Sequence, residues 1–241
     1  MKAEIGKFRF RVENFQGAKL KYIRSYLTKR RIQLIIPMLI YLIFYTLVFH
    51  VTEIHNFGHY LVLDTRLDQM IPFCEVFVVP YLSWFAFVPF GAAMALYRDE
   101  EEYKKLCYML CIGMTIFLMV SVFFPNCQTL RPSVMPRDNI CTRLTAFIYA
   151  HDTPTGIFPS IHVYNSLCIM IWAGTAVMPS KAGRRFKNII YVWGALIILS
   201  TMLIKQHSVL DVSAAIVMAS VFQPLIYREG EVQNKYSPAR N

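Results

Sequence analysis

The chain has 241 residues, of which 56% are hydrophobic and 17% are charged, and its formal net charge is +10. The charged residues collect in short segments between long apolar runs, which excludes an ordinary soluble domain. The excess of positive charge does not indicate nucleic-acid binding, because it lies beside apolar runs, where basic residues set topology and contact anionic lipids.

Six apolar runs are long enough, or nearly so, to cross a bilayer core of about 30 Å. We place them at residues 32–50, 77–97, 106–124, 161–178, 188–204 and 209–227. The sequence therefore predicts an all-α polytopic membrane protein with six transmembrane helices. A basic N-terminal segment (1–31) precedes the membrane domain (32–227), and a polar tail (228–241) follows it.

The distribution of Lys and Arg predicts the orientation of these spans. If the N-terminus is cytoplasmic, segments 1–31, 98–105, 179–187 and 228–241 lie inside and hold 20 of the 25 basic residues. Such a bias predicts that both termini lie in the cytoplasm. The expected location is the cell membrane, with loops 125–160 and 205–208 outside.

These two outside loops, with the span ends that follow them, carry the candidate catalytic and phosphate-binding residues. The topology brings Arg131, Ser160, His162, His207 and Asp211 to one membrane face. His207 and Asp211 are four residues apart, so on a helix their side chains share a face. A carboxylate that accepts a hydrogen bond from one imidazole nitrogen leaves the other nitrogen free to attack. The alternative for Asp211 is a buried acid tied to Lys205 or to a backbone group.

The other residues of this face are suited to binding an anion. His162 stands at the N-terminal end of the fourth span, where unpaired N–H groups and the helix dipole favour phosphate. Ser160 caps this helix, donates to a phosphate oxygen, or does both. Arg131 offers a fork of donors to phosphate oxygens, or alternatively contacts lipid headgroups.

Three motifs resemble those of the type-2 phosphatidic acid phosphatase superfamily: Arg131-Pro132, then Pro159-Ser160-Ile161-His162, then Ser200 with His207 and Asp211. The resemblance covers roughly residues 77–227 and implies that family's six-helix bundle. The chain departs from the family at one position in each motif. The Lys of the first motif is Phe124 here, the Gly of the second is Ile161, and the Arg of the third is Thr201. Lys205 or Arg137 is the candidate replacement for the missing phosphate-binding cations.

With these departures, the site resembles the branch that includes inositol phosphorylceramide and sphingomyelin synthases, in a bacterial-type member. The resemblance implies that His207 forms a phosphohistidine, that Asp211 orients it, and that His162 protonates the leaving alkoxide and later activates water or an acceptor. Arg131, Ser160 and Lys205 would hold the phosphate of a lipid phosphate or diphosphate. Neither a metal nor another cofactor is implied.

Two other classes of function stay open. The missing cations are also compatible with a non-catalytic lipid-binding or carrier protein on the same fold. A metal enzyme that uses His162, His207 and Asp211 would need further ligands. The sequence leaves open the lipid, hydrolysis versus transfer, the oligomeric state, and a disulfide between Cys127 and Cys141.

Overall fold

The computed structural model describes residues 29–55 and 57–227, and the regular secondary structure of this part is helical apart from two short strands. The helices are α1 (Lys29–Ile54), α2 (Arg66–Met70), α3 (Val78–Arg98), α4 (Glu100–Phe123), α5 (Ile140–His151), α6 (Ile161–Thr175), α7 (Lys181–Leu203) and α8 (Val209–Ile226), with a 3-10 turn at Glu75–Phe77. Strands β1 (Leu61–Val62) and β2 (Asn126–Cys127) pair in parallel. Residues 1–28 of the predicted N-terminal segment (1–31) and the whole predicted tail (228–241) lie outside the described residues.

Polar side chains define where the long helices begin. Asp99 accepts from the backbone N–H groups of Glu101 and Glu102 at the start of α4. Serines cap three further helices, with Ser160 before α6, Ser180 before α7 and Ser208 before α8. These caps satisfy N–H groups that have no partner within the helix.

Five helices of the described chain are long and apolar enough to cross a membrane. They are α1, the segment Glu75–Arg98, α4, α7 and α8. The chain is therefore a helical membrane protein. The boundaries of these helices agree with five of the predicted spans to within a few residues, although α1, α4 and α7 extend further into the flanking charged segments.

Helix α6 is shorter and more buried than the other predicted spans. It has 15 residues, about 22 Å of helix, and it contacts α3, α4, α7 and α8. Its N-terminal end lies beside Tyr81, and at its other end Gly174 and Val177 accept hydrogen bonds from Lys187 and Arg98. The helix thus runs through the middle of the bundle from one end to the other.

The predicted loop 125–160 is not irregular throughout, because it contains α5. Asn139 caps this helix through a capping box with Thr142. The connection between α1 and α3 includes the short helix α2. All six cysteines carry free thiols, including Cys127 and Cys141.

The chain divides into two units with the boundary after Leu42, within α1. The residues of α2 to α8 all belong to the second unit, which contains the candidate site.

Candidate active site

The N-terminal ends of α6 and α8 meet at one end of the bundle. The Ser160 N–H donates to the main-chain oxygen of Asp211 over 3.2 Å. Both cap residues, Ser160 and Ser208, are fully buried. This junction brings together two segments that lie far apart in the sequence, each with a histidine next to its cap.

The two histidines are in direct contact. His207 Nε2 lies 3.4 Å from His162 Nδ1, and the ring centroids are 5.6 Å apart. One nitrogen must carry the proton and the other must accept it, and the tautomers decide which. The two rings are therefore close enough to form one hydrogen bond.

Asp211 lies against the other nitrogen of His207. Its Oδ2 is 3.5 Å from His207 Nδ1, which is ion-pair distance, although Nδ1 has no hydrogen-bond partner in the described chain. The same oxygen accepts the Ser208 N–H at 2.7 Å. Asp211 is fully buried, and its Oδ1 is likewise unpaired within the described residues.

The contact between these two residues does not run along one face of a helix, the geometry from which the sequence argument expected it. Helix α8 begins at Val209, so His207 precedes the cap and Asp211 is the third helical residue. Ser208 and Asp211 form a capping box, which starts the helix after His207. The carboxylate approaches the imidazole across the helix start and not along a helix face.

Asp68 of α2 anchors the same helix start. Its side chain accepts from Thr65 and, at 2.7 Å, from the Val209 N–H, and only 2% of the residue is exposed. A carboxylate at this position also interacts favourably with the helix dipole. Asp68 therefore fixes the position of the segment that carries His207.

Lys205, expected to bind phosphate, has a different set of partners. Its ammonium donates to the main-chain oxygens of Asp68 and Ile71, at the end of α2. The residue has a φ of 53° and is 8% exposed, and burial lowers the pKa of its ammonium. Two of its three N–H groups thus serve main-chain carbonyls, and phosphate binding by Lys205 stays a prediction.

Arg131 is bound largely by the protein itself. Its terminal nitrogens donate to the main-chain oxygens of Tyr149, Asp152 and Thr153 and to the side chain of Gln206. Its Nε–H is buried and has no partner among the described residues. Arg131 thus adjoins the site through Gln206, the neighbour of His207, and offers one free N–H.

Arg137, the alternative cation, also has a protein partner. Its Nε and one terminal nitrogen each lie 2.5 Å from an oxygen of Glu75, and Asn139 donates to the same carboxylate at 3.0 Å. These bonds raise the pKa of the Arg137 guanidinium. The cluster of Arg137, Glu75 and Asn139 joins the loop before α5 to the start of α3.

Four neighbours of the histidines carried no sequence signal strong enough to select them: Tyr81, Trp84, Asp68 and Gln206. The rings of Tyr81 and Trp84 lie on His162, with centroids 4.6 and 4.5 Å away. Gln206 accepts from Arg131 and donates to Asp152 at 2.9 Å. Only the Thr65-x-x-Asp68 capping pattern marked one of these residues in advance.

The arrangement brings two imidazoles, a buried carboxylate and a helix N-terminus together in one place. Among residues 29–55 and 57–227, no group of three His, Cys, Asp or Glu side chains is placed to hold a metal ion. No protein-family model, curated protein or solved structure matches the chain.

Proposed function

We propose that the chain is a membrane enzyme that transfers or hydrolyses the phosphate of a lipid phosphate or diphosphate, as a member of the type-2 phosphatidic acid phosphatase superfamily. The observation that carries the proposal is the 3.4 Å contact between His162 and His207, with the buried Asp211 3.5 Å from the second nitrogen of His207. Two imidazoles and a carboxylate in series are suited to nucleophilic and acid–base chemistry.

The first step forms a phosphohistidine. His207 Nε2 attacks phosphorus, the N–P bond forms, the P–O bond to the leaving group breaks, and His162 gives its proton to the departing oxygen. In the second step, water or an acceptor hydroxyl loses a proton to His162 and attacks phosphorus. The N–P bond then breaks and restores His207. Asp211 stabilises the positive charge that His207 carries in the intermediate.

The groups available to the phosphate oxygens favour a singly charged phosphate. They are the N-terminus of α6, the Ser160 hydroxyl proton and the unpaired Nε–H of Arg131. The Asp152 carboxylate lies 3.6 Å from Arg131 and offsets part of its charge. A phosphodiester monoanion suits this set better than a phosphomonoester dianion, which normally attracts several cations.

The site is proposed to face the extracytoplasmic side of the cell membrane. The bias of basic residues toward one set of loops supports this orientation. We also propose that α6 is a sixth span. Because other helices surround it, it need not match the full thickness of the lipid core.

Replacement of His207 by Ala tests the proposal directly. We expect product release from a panel of phosphatidic acid, isoprenyl diphosphate, phosphatidylglycerol phosphate and phosphatidylglycerol to fall by on the order of a thousandfold or more. His151→Ala, at the exposed end of α5, is the matched control and should keep its activity. Undiminished release by His207→Ala would remove His207 from the mechanism.

A non-catalytic lipid-binding or carrier protein is the second candidate, since most donors of Arg131 are already bound by the protein. The two candidates differ in one intermediate. Incubation with lipid labelled in its phosphate should give an acid-labile, alkali-stable phosphoprotein in the wild type and none in His207→Ala. A carrier forms no such species with any lipid of the panel.

A further inference from the structure

The ring of His162 lies against two aromatic side chains of α3. Tyr81 stacks on it with an angle of 26° between the planes, and Trp84, three residues further along, contacts it at 46°. Residues three apart on a helix project from neighbouring positions. The first turns of α3 therefore supply one wall of the site, and this wall is aromatic.

The three tryptophans of the chain differ in how their indole N–H groups are satisfied. Trp172 Nε1 donates to Glu102 at 3.1 Å, and Trp193 Nε1 donates to the Ser83 hydroxyl at 2.7 Å. Trp84 Nε1 is buried and has no partner within the described residues. A buried donor without an acceptor is energetically unfavourable, so an unpaired one at a particular place calls for an explanation.

Other unpaired polar atoms lie at the same end of the bundle. His207 Nδ1, Asp211 Oδ1 and Arg131 Nε are also buried without hydrogen-bond partners in the described chain. His207 touches His162, and Tyr81 interacts with Gln206, which binds Arg131. The residues that carry these four unpaired atoms are thus linked by contacts to the histidine pair, and two of the atoms, on Trp84 and Arg131, are N–H donors whatever the histidine tautomers.

A phosphate oxygen is an acceptor suited to either of these donors. The indole N–H is neutral, so it binds an oxygen without adding charge. A phenylalanine at position 84 would give similar packing without an unsatisfied group. An unpaired indole N–H on a ring that lies against His162 therefore indicates a ligand that completes its hydrogen bond.

We propose that Trp84 binds substrate, with its indole N–H donating to a phosphate oxygen of a lipid phosphodiester held beside His162. This inference rests on the proposed function and adds a binding residue and a substrate class to it. Tyr81 and Trp84 together also hold the imidazole of His162 against α3.

Nuclear magnetic resonance of the wild-type protein in detergent tests the bond without any mutation in the measured sample. Three indole N–H signals are expected, and the one missing from Trp84→Phe identifies Trp84. Addition of dihexanoylphosphatidylglycerol, a soluble phosphodiester, should shift this signal and leave those of Trp172 and Trp193 in place. Inorganic phosphate, added separately, should shift it less; an equal shift would contradict selection of a lipid phosphodiester.

Kinetics supply the second measurement. Trp84→Phe should reduce kcat/KM for the short-chain phosphodiester about tenfold, mainly through a higher KM, as expected for one lost hydrogen bond to a charged group. Trp193→Phe, which removes a satisfied indole N–H, is the matched control, and thermal unfolding verifies that both variants fold.

The outcomes separate this inference from the proposed function. An active wild type whose Trp84 signal does not move, or whose Trp84→Phe variant keeps its kcat/KM, overturns the role of Trp84 alone. A shift of the Trp84 signal in a protein that forms no phosphohistidine supports phosphate binding by Trp84 and overturns the enzymatic proposal.

Discussion

The separation of the two imidazoles limits what the resting site holds. In the proposed reaction His207 attacks phosphorus and His162 protonates the leaving oxygen. The phosphoryl group must therefore lie between the two nitrogens. At 3.4 Å these nitrogens are close enough to share a proton, and this leaves no room for phosphorus and an oxygen between them. The rings must therefore part when substrate binds, and the 3.5 Å gap between His207 and Asp211 can close to a hydrogen bond in the same movement.

The role of Asp211 can be separated from its structural contribution by Asp211→Asn. The amide oxygen can still accept the Ser208 N–H, so the start of α8 should be retained. The negative charge beside His207 is lost, and we expect kcat to fall by a hundredfold or more, as for other orienting carboxylates. Lipid turnover and thermal unfolding measure the two effects. The control is Asp138→Asn, an exposed acid paired with Arg143, and a variant at position 211 with normal kcat would contradict the assignment.

Asp152 should make stability depend on pH. Burial raises the pKa of its carboxyl above the ordinary value, and Arg131 offsets this only in part. Because the folded state holds this proton more tightly than the unfolded state, the carboxyl stabilises the fold at low pH, and this contribution is lost as pH rises through the raised pKa.

We therefore expect the free energy of unfolding of Asp152→Asn, measured relative to that of the wild type, to increase as pH rises from about 4 to about 7. Chemical unfolding in detergent at a series of pH values measures the difference. If the wild type instead becomes more stable relative to the variant over this range, the charge of Arg131 affects the pKa of Asp152 more strongly than burial does.

At the scale of elements, α6 is held by close approach of its neighbours. Gly91 of α3 faces Ile169, Gly113 of α4 faces the Tyr164 ring, and Gly194 of α7 faces Met170. A Cβ at these positions would lie within 2.6 Å of Ile169 or 2.5 Å of Met170 and would overlap Tyr164. Small residues at helix contacts are typical of membrane bundles, where packing and not water drives association.

Gly113→Ala tests this packing. Alanine normally favours a helix by about 1 kcal/mol over glycine, but here the added methyl group meets a ring whose hydroxyl is fixed to the Met109 carbonyl at 2.8 Å. We expect a net loss of about 1–3 kcal/mol in the free energy of unfolding. Ala93→Val on the exposed face of α3 is the control for an added side-chain volume. If Gly113→Ala is more stable than the wild type, the Tyr164 ring moves to accommodate the added methyl group.

The elements that the sequence predicted well are those defined by one dominant signal. Apolar runs without charge located five long helices, because lipid admits few other structures. Helix α5 was missed because it is short and mixed in composition, although Asn139 and Thr142 carried its capping pattern. The Ser208-x-x-Asp211 pattern likewise marked the true start of α8.

At the scale of the whole molecule, counting membrane crossings was enough to bring His162 and His207 to one end of the bundle. The partners of Arg131, Lys205 and Arg137 could not be found in this way, because each binds carbonyls or acids supplied by segments distant in the chain. Sequence patterns give the face on which a side chain lies, whereas the acceptors it binds depend on the tertiary fold.

The orientation of the bundle is the prediction that belongs to this scale. Val134, 79% exposed, lies in the loop at the histidine end, and Glu101, with a side chain 60% exposed, lies at the turn between α3 and α4. Single cysteines at these positions, in a background where the six native thiols are replaced by serine, report the side of the membrane. If the bias of basic residues sets topology, Val134→Cys reacts with a membrane-impermeant maleimide in intact cells and Glu101→Cys reacts only after permeabilisation. The reverse pattern would place the histidines in the cytoplasm and exclude lipids of the outer leaflet as substrates.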